Sequence, residues 1–105
     1  MILEIAEFTI HADRAADFEA AMIELKTVIG SSRGYLGHTI QRSLETPGRY
    51  VLLVRWASLE AHEQGFRSTP AFEVWKARLA AHRDGIVMEH FETVFEHEWA
   101  FSTGQ

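Results

Sequence analysis

Residues 2 to 10 are rich in apolar and β-forming side chains and give way at His11-Ala12-Asp13, where Asp13 is placed to cap a helix by accepting its orphan amides. Phe18, Ala21, Met22, Leu25, Val28 and Ile29 then recur at spacings of three and four, with Glu19, Glu24 and Lys26 away from them. That spacing puts the apolar set on one helical face, which is expected to pack on a sheet. Gly30, Ser31, Ser32 and Gly34 end the helix, and Tyr35 to Arg42 reads as a second strand. Thr46-Pro47-Gly48 follows as a turn, because Pro presets φ and Gly permits a positive one. Tyr50 to Trp56 is a third strand with Tyr50, Leu52, Val54 and Trp56 on one face and Val51 and Leu53 on the other. Apolar residues on both faces mean that neither should meet water. The helices of one small domain cover one face only, so something else must cover the second.

Ser58 is placed to cap a short helix with Leu59, His62 and Phe66 on one inward stripe. Thr69-Pro70 starts another, with Pro at its first position and Phe72, Trp75 and Leu79 pointing together. Asp84-Gly85 is expected to turn the chain into the last strand. The order β-α-β-β-α-β, with the second helix broken near Gly65, predicts an α+β fold of the ferredoxin-like kind with a four-stranded antiparallel sheet. In the tail, Phe91, Phe95, Trp99 and Phe101 share one parity with Thr93 and His97, while Glu92, Glu96 and Glu98 take the other. A strand from 86 to 101 would span on the order of 50 Å, longer than a domain of this size is wide. The tail is therefore expected to bend or to reach a partner.

Length and composition narrow the classes. A chain of 105 residues is read as one domain, 1–105, with a core over 2–95 and a C-terminal extension over 96–105 that contacts a partner subunit. No stretch approaches the roughly 18 apolar residues of a membrane helix. Met1 leads straight into Ile2-Leu3-Glu4-Ile5, which leaves no export signal visible and makes the cytoplasm the expected location. The chain has no cysteine, so disulfides and thiolate chemistry are excluded. A net charge of -5, with Arg dispersed among Glu, gives no basic stripe for phosphates and argues against nucleic acid as a partner.

Four segments, taken in order, resemble the antibiotic biosynthesis monooxygenase family: Ile2-Leu3-Glu4-Ile5-Ala6-Glu7, Gly34-Tyr35-Leu36-Gly37-His38, Arg49 to Trp56, and Gly65-Phe66-Arg67-Ser68-Thr69-Pro70-Ala71-Phe72. The resemblance covers about residues 2 to 95. It implies a homodimeric α+β barrel in which two sheets pack together, which would supply the cover missing from the third strand, around an apolar pocket completed when two copies meet. Family members range from cofactor-free oxygenases of polyketide aromatics and quinols to haem degraders. In the oxygenases the pocket resembles one lined by an amide on the third strand, the Trp that ends it and a polar ring residue six positions later. Here Trp56 and His62 match the second and third, and Leu52 stands where the amide would be. The haem-degrading branch needs an Asn on the first strand and a His on the second helix. This chain has no Asn; Phe8 lies near the first position and Trp75 near the second. No cofactor is therefore expected.

His62 is the candidate catalytic base, since imidazole titrates near neutrality and the residue points inward. A buried histidine bonded to backbone fits the same position. Trp56 could stack on a flat ligand or be plain core. Phe66, Phe72 and Trp75 could form the pocket wall or the core. Arg55 could anchor a phenolate, or pair with a neighbouring Glu. His38 and His90, both on strands, could line the pocket or join His62 as metal ligands, but they offer no i, i+4 pair on one helix and no metal is expected. Glu4, Glu7, Glu89 and Glu92 would serve acid–base chemistry only if buried. The function expected is a monooxygenase acting on a small hydrophobic aromatic, or a non-catalytic binding dimer of the same fold.

Overall fold

The computed structural model describes residues 1–98. Its elements are β1 (Ile2–Ile10), α1 (Ala15–Gly30), β2 (Tyr35–Arg42), β3 (Arg49–Trp56), α2 (Leu59–His62), α3 (Pro70–Ala80) and β4 (Arg83–Glu92). The strands form one antiparallel sheet in the order β2-β3-β1-β4. The two hairpin-connected strands, β2 and β3, lie on one side of β1, and the last strand lies on its other side. This is the ferredoxin-like α+β arrangement that the element order predicts.

Alternation divides the sheet into two unlike faces. Ala6, Phe8 and Ile10 of β1 and Tyr50, Leu52, Val54 and Trp56 of β3 pack against Phe18, Met22, Leu25 and Ile29 of α1 and Trp75 and Leu79 of α3. Each large side chain buried this way contributes about 1.5–3 kcal/mol. The opposite face carries Leu3, Ile5, Val51 and Leu53, which are half-buried, with Val87 and Phe91 exposed to 69% and 42%. No element of the chain covers it among the described residues. None of the helices there is long and apolar enough to cross a membrane.

Several local expectations change. Asp13 does not cap α1: a tight 3-10 turn, Ala12–Arg14, comes first, with Arg14 N–H bonded to His11 O at 2.8 Å, and Arg14 occupies the cap without a side-chain bond. The capping role is found instead at Ser58, whose hydroxyl accepts from Ala61 N–H at 3.1 Å. Leu59, at the first position of α2, stays 43% exposed, so the inward stripe begins only at His62. The break near Gly65 is a π turn, Glu63–Arg67, whose wider hydrogen-bond spacing carries both His62 and Phe66 inward before Pro70 starts α3. Gly65 packs so closely on the loop after α1 that a Cβ there would lie 2.7 Å from Arg33 O.

Asp84-Gly85 is not a turn. β4 has already begun at Arg83, and the register shifts between Thr9, opposite Gly85, and Ile10, opposite Arg83, so one residue is absorbed as a bulge. At the other end β4 stops at Glu92, opposite Ile2, the first residue of β1. Residues 93–98 carry no strand, and Val94 and Phe95 are exposed. The expected strand to residue 101 therefore ends early; Trp99 and Phe101 lie outside the described residues.

Candidate functional site

A cavity of about 210 Å³ lies between the sheet and the helices, with walls from Ala6, Phe8, Leu52, Phe66, Phe72 and Trp75. Arg67, Lys76, Ile86 and Met88 also line it and remain exposed, which puts its mouth between α3 and the β4 edge. This cavity belongs to a single chain and faces the helices. It lies on the helix-covered face of the sheet and is formed by one chain alone, whereas the barrel resemblance implies a pocket completed by two copies. Its volume is below the roughly 300–1,000 Å³ of drug-sized pockets, so a three-ring aromatic would place its reacting ring inside and extend through the open mouth.

Two polar side chains stand in this apolar wall. Glu4 follows the parity of Ala6, Phe8 and Ile10 on β1 and is 6% exposed; His62, at the end of α2, is 2% exposed. Burying such groups without partners would cost several kcal/mol, and both are partnered. The Trp56 indole N–H donates to Glu4 Oε1 at 3.0 Å. His62 Nε2 lies 3.4 Å from the same oxygen, and His62 Nδ1 lies 2.6 Å from Nε2 of His90. The carboxylate and the two imidazoles thus form a chain, Glu4–His62–His90, running from the cavity wall to the half-buried His90 on β4.

Burial is the main cause of the electrostatics. It raises the Glu4 carboxyl above its usual value, against the indole hydrogen bond and the charges of His90 and Arg67. It lowers the His62 imidazole to about 4, with the charges of His90 and Arg67 adding to the effect. His62 is therefore neutral at pH 7, with one nitrogen protonated and one free to accept. The ring plane is held by stacking: Trp56 stacks on His62, at 4.9 Å and 27°, and on Phe66, at 5.9 Å and 28°.

Ligating atoms of Glu4, His62 and His90 all fall within 4.8 Å of one another, close enough to suggest a cation site. As arranged, however, His62 turns Nε2 to the carboxylate and Nδ1 to His90, and the two lone-pair directions of one imidazole diverge. In this arrangement the contacts within the set are those of a hydrogen-bonded chain.

The sequence-predicted residues divide clearly. His62, Leu52, Phe66, Phe72 and Trp75 meet at the cavity. Trp56 does not line it: the ring is fully buried behind His62, and its N–H is committed to Glu4. His90 touches the cavity only through His62. His38 is held away on β2, where Tyr35 Oη meets its Nδ1 at 2.5 Å and burial lowers its pKa. Arg55 shares the parity of Val51 and Leu53, so it sits on the opposite face and pairs with Glu96 at 3.1 Å. Of the four carboxylates considered, Glu7 pairs with Arg49, Glu89 and Glu92 are exposed, and only Glu4 is buried. Arg67 and Lys76, which flank Phe72 at 5.7 and 5.6 Å, were not singled out by sequence reasoning.

The chain matches a family model described as antibiotic biosynthesis monooxygenase over residues 1–78. It is 33% identical over 95 residues to YczJ, an uncharacterized protein of Bacillus subtilis, covering 90% of this chain and all of YczJ. Among solved structures, a Bordetella bronchiseptica protein classed with the antibiotic biosynthesis monooxygenases superposes with a TM-score of 0.84 at 30% identity, covering 90% of this chain and 97% of that one. SnoaB, a cofactor-independent oxygenase from Streptomyces nogalater, superposes with a TM-score of 0.81 at 19% identity over 93% of this chain and 97% of its own. At that identity the likeness to SnoaB is one of fold.

Proposed function

Because the chain belongs to the antibiotic biosynthesis monooxygenase family, we propose that it is a cofactor-independent monooxygenase that takes a small hydrophobic aromatic, a polyketide-type phenol or quinol, into the cavity between sheet and helices. The observation that carries this reading is His62: a buried, neutral imidazole in a largely apolar wall, with Nδ1 engaged by His90 and Nε2 beside Glu4, whose side chain lines the same cavity. Such a group removes a proton from an electron-rich substrate held against it. The resulting anion supplies the electrons to dioxygen. In the keto form of the phenol the reacting ring carbon is a CH2: its first C–H proton goes to His62, a C–O bond forms to one oxygen atom of O2, and as the O–O bond breaks the second C–H proton is lost and the other oxygen leaves as water, so that CH2 and O2 become C=O and H2O. The protein contributes orientation, proton removal and exclusion of bulk water.

The open face of the sheet supports a second part of the proposal, a homodimer in which two such faces cover each other. Leu3, Ile5, Val51, Leu53 and Phe91 form an apolar group across β1, β3 and β4, with Val87 set apart from it by Glu7 and Glu89, and with Arg49 and Arg55 on the same face. A surface of that kind on a small domain marks an association site.

The test is oxygen uptake by metal-free protein with a panel of anthrones, naphthols and quinols, with His62→Ala in parallel. The variant is expected to lose at least about 100-fold in turnover while still binding ligand, as read by quenching of Trp fluorescence. Unchanged turnover would assign proton removal elsewhere. A second reading has its own support: Leu52, 2% exposed, presents only hydrocarbon to the cavity where oxygenases of this family resemble one another in carrying an amide. In that reading the protein binds the aromatic without reaction, and the same panel gives binding with no uptake.

A further inference from the structure

A buried imidazole has a difficulty as a base. Taking a proton at Nε2 while keeping the one at Nδ1 makes an imidazolium inside an apolar wall, the form that burial disfavours most at this position. The contact at Nδ1 offers a way out. His62 Nδ1 and His90 Nε2 are 2.6 Å apart, the rings are tilted at 49° with centroids 4.7 Å apart, and His90 is only half-buried. His90 also stands directly opposite Glu4 in the β1–β4 ladder, so a positive charge on it would face a carboxylate.

Resting on the reading of His62 as base, we infer that His90 is a proton-holding partner: His62 takes the substrate proton at Nε2 and in the same step passes its Nδ1 proton to Nε2 of His90. Before the step His62 carries its proton on Nδ1 and donates it to His90. Afterwards the substrate is an anion, His62 is neutral with its proton on Nε2, and His90 is the imidazolium. When the second oxygen atom leaves as water, His62 returns the Nε2 proton to it and takes one back from His90. No net proton is gained or lost by the pair over a turnover.

The charged and titratable groups around this path are few. Glu4 faces it from β1 and Arg67 from the π turn. Glu92, two residues beyond His90 on the same face of β4, is exposed. Glu4 balances the charge on His90, and the Trp56 N–H keeps the carboxylate in place. His90 is therefore a positioning and proton-holding residue that acts through His62; it does not line the cavity.

The experiment uses the full chain with anthrone as the probe and compares wild type, His62→Ala, His90→Gln and His90→Ala. The glutamine accepts the hydrogen bond from Nδ1 but cannot carry a proton. His90→Gln is expected to bind anthrone within about threefold of wild type and to lose roughly 30-fold in oxygen uptake, and His90→Ala to recover activity on addition of imidazole. Uptake by His90→Gln within threefold of wild type, or a His90→Ala variant that folds and binds but is not rescued, overturns the relay while leaving the base in place if His62→Ala is still dead. A second readout does not depend on turnover. Two-bond 1H–15N spectra of the wild type at pH 7 should show the His62 proton on Nδ1. A proton on Nε2 overturns the relay whatever the activity; should anthrone not be oxidised at all, it is the base reading that fails, and the tautomer still judges the contact.

Discussion

The two faces of the sheet are drawn from the same strands by the same alternation, yet each is mismatched to its surroundings in the opposite sense. The helix-covered face is enclosed and nonetheless carries Glu4 and His62, which an ordinary core would replace with hydrocarbon. The other face meets solvent in the single chain and nonetheless carries Leu3, Ile5, Val51, Leu53, Val87 and Phe91. Polar groups retained in a core and apolar groups retained on a surface both cost stability, by desolvation in one case and by hydration of hydrocarbon in the other. The first mismatch supports the proposed site, the second the proposed dimer. One sheet carries both, and the strands set them back to back.

The largest expected effect breaks the open face. In an isologous dimer Leu53→Asp enters the interface twice, and each buried charge costs several kcal/mol. Dimerisation should weaken by more than roughly 1,000-fold, giving a monomer in sedimentation at micromolar protein. Circular dichroism should be unchanged, since Leu53 is half-exposed in the single chain. A persistent dimer would place the interface elsewhere.

Next comes the closed face. Trp56→Phe keeps an aromatic ring against His62 but removes the N–H that reaches Glu4, leaving a buried carboxylate short of a donor. Urea unfolding should show a loss of about 1–3 kcal/mol, and a change below about 0.5 kcal/mol would mean that Glu4 finds another partner.

A smaller effect separates the two polar groups by pH. The folded His62 has a pKa near 4, against 6.5 in the unfolded chain. The unfolded state therefore binds the proton first as pH falls. Stability from this residue is full above about 6.5 and is lost as pH drops towards 4, by an amount on the order of 3 kcal/mol. Glu4 runs the other way: its raised folded pKa favours the folded state while protonated, and that advantage is lost as pH rises above 4.5. Subtracting the thermal profile of His62→Gln from that of wild type should isolate the histidine, with the wild type falling further between pH 6.5 and 4. Parallel profiles would contradict the burial of the ring.

The smallest is Glu96→Gln, which removes one partner of Arg55 on the open face. An ion pair of this exposure contributes less than about 1 kcal/mol. A larger loss in equilibrium unfolding would show that the pair is covered in the assembled protein.

How much of this was legible in the sequence follows from which physical rule governs each residue. The period of 3.6 in α1 and the period of two in β3 placed those elements to within a residue, because burial enforces both. The Thr46-Pro47-Gly48 turn was legible for a local reason: Gly48 adopts φ 84°, and a Cβ there would lie 2.3 Å from Ile10 O. The site was legible in part. Leu52, His62, Phe66, Phe72 and Trp75 reached the cavity because their own elements pointed them inward. Arg55 was misplaced despite a usable signal, its parity with Val51 and Leu53. Glu4 carried the same kind of signal in its parity with Ala6, Phe8 and Ile10, outweighed by the tendency of Glu to lie at rims. The turn of the Trp56 indole towards Glu4 and the approach of His90 to His62 had no local signal, since each is a contact between elements distant along the chain.

That distance has a consequence for folding. β2 and β3 are joined by a short turn, whereas β1 and β4, which bring Glu4 opposite His90, are the first and last strands among the described residues. Closing so long a loop is entropically slow relative to forming a hairpin. The helices and the β2–β3 hairpin are therefore expected to assemble first, and the hydrogen bond between His62 and His90 to appear with the slowest phase of refolding. If a probe on His90 recovered as early as one on the hairpin, this order would be wrong. Should it hold, a nascent or frayed chain can own a nearly complete core while lacking the contact between His62 and His90, and the proposed activity would report on the docking of β4 more sensitively than helix content does.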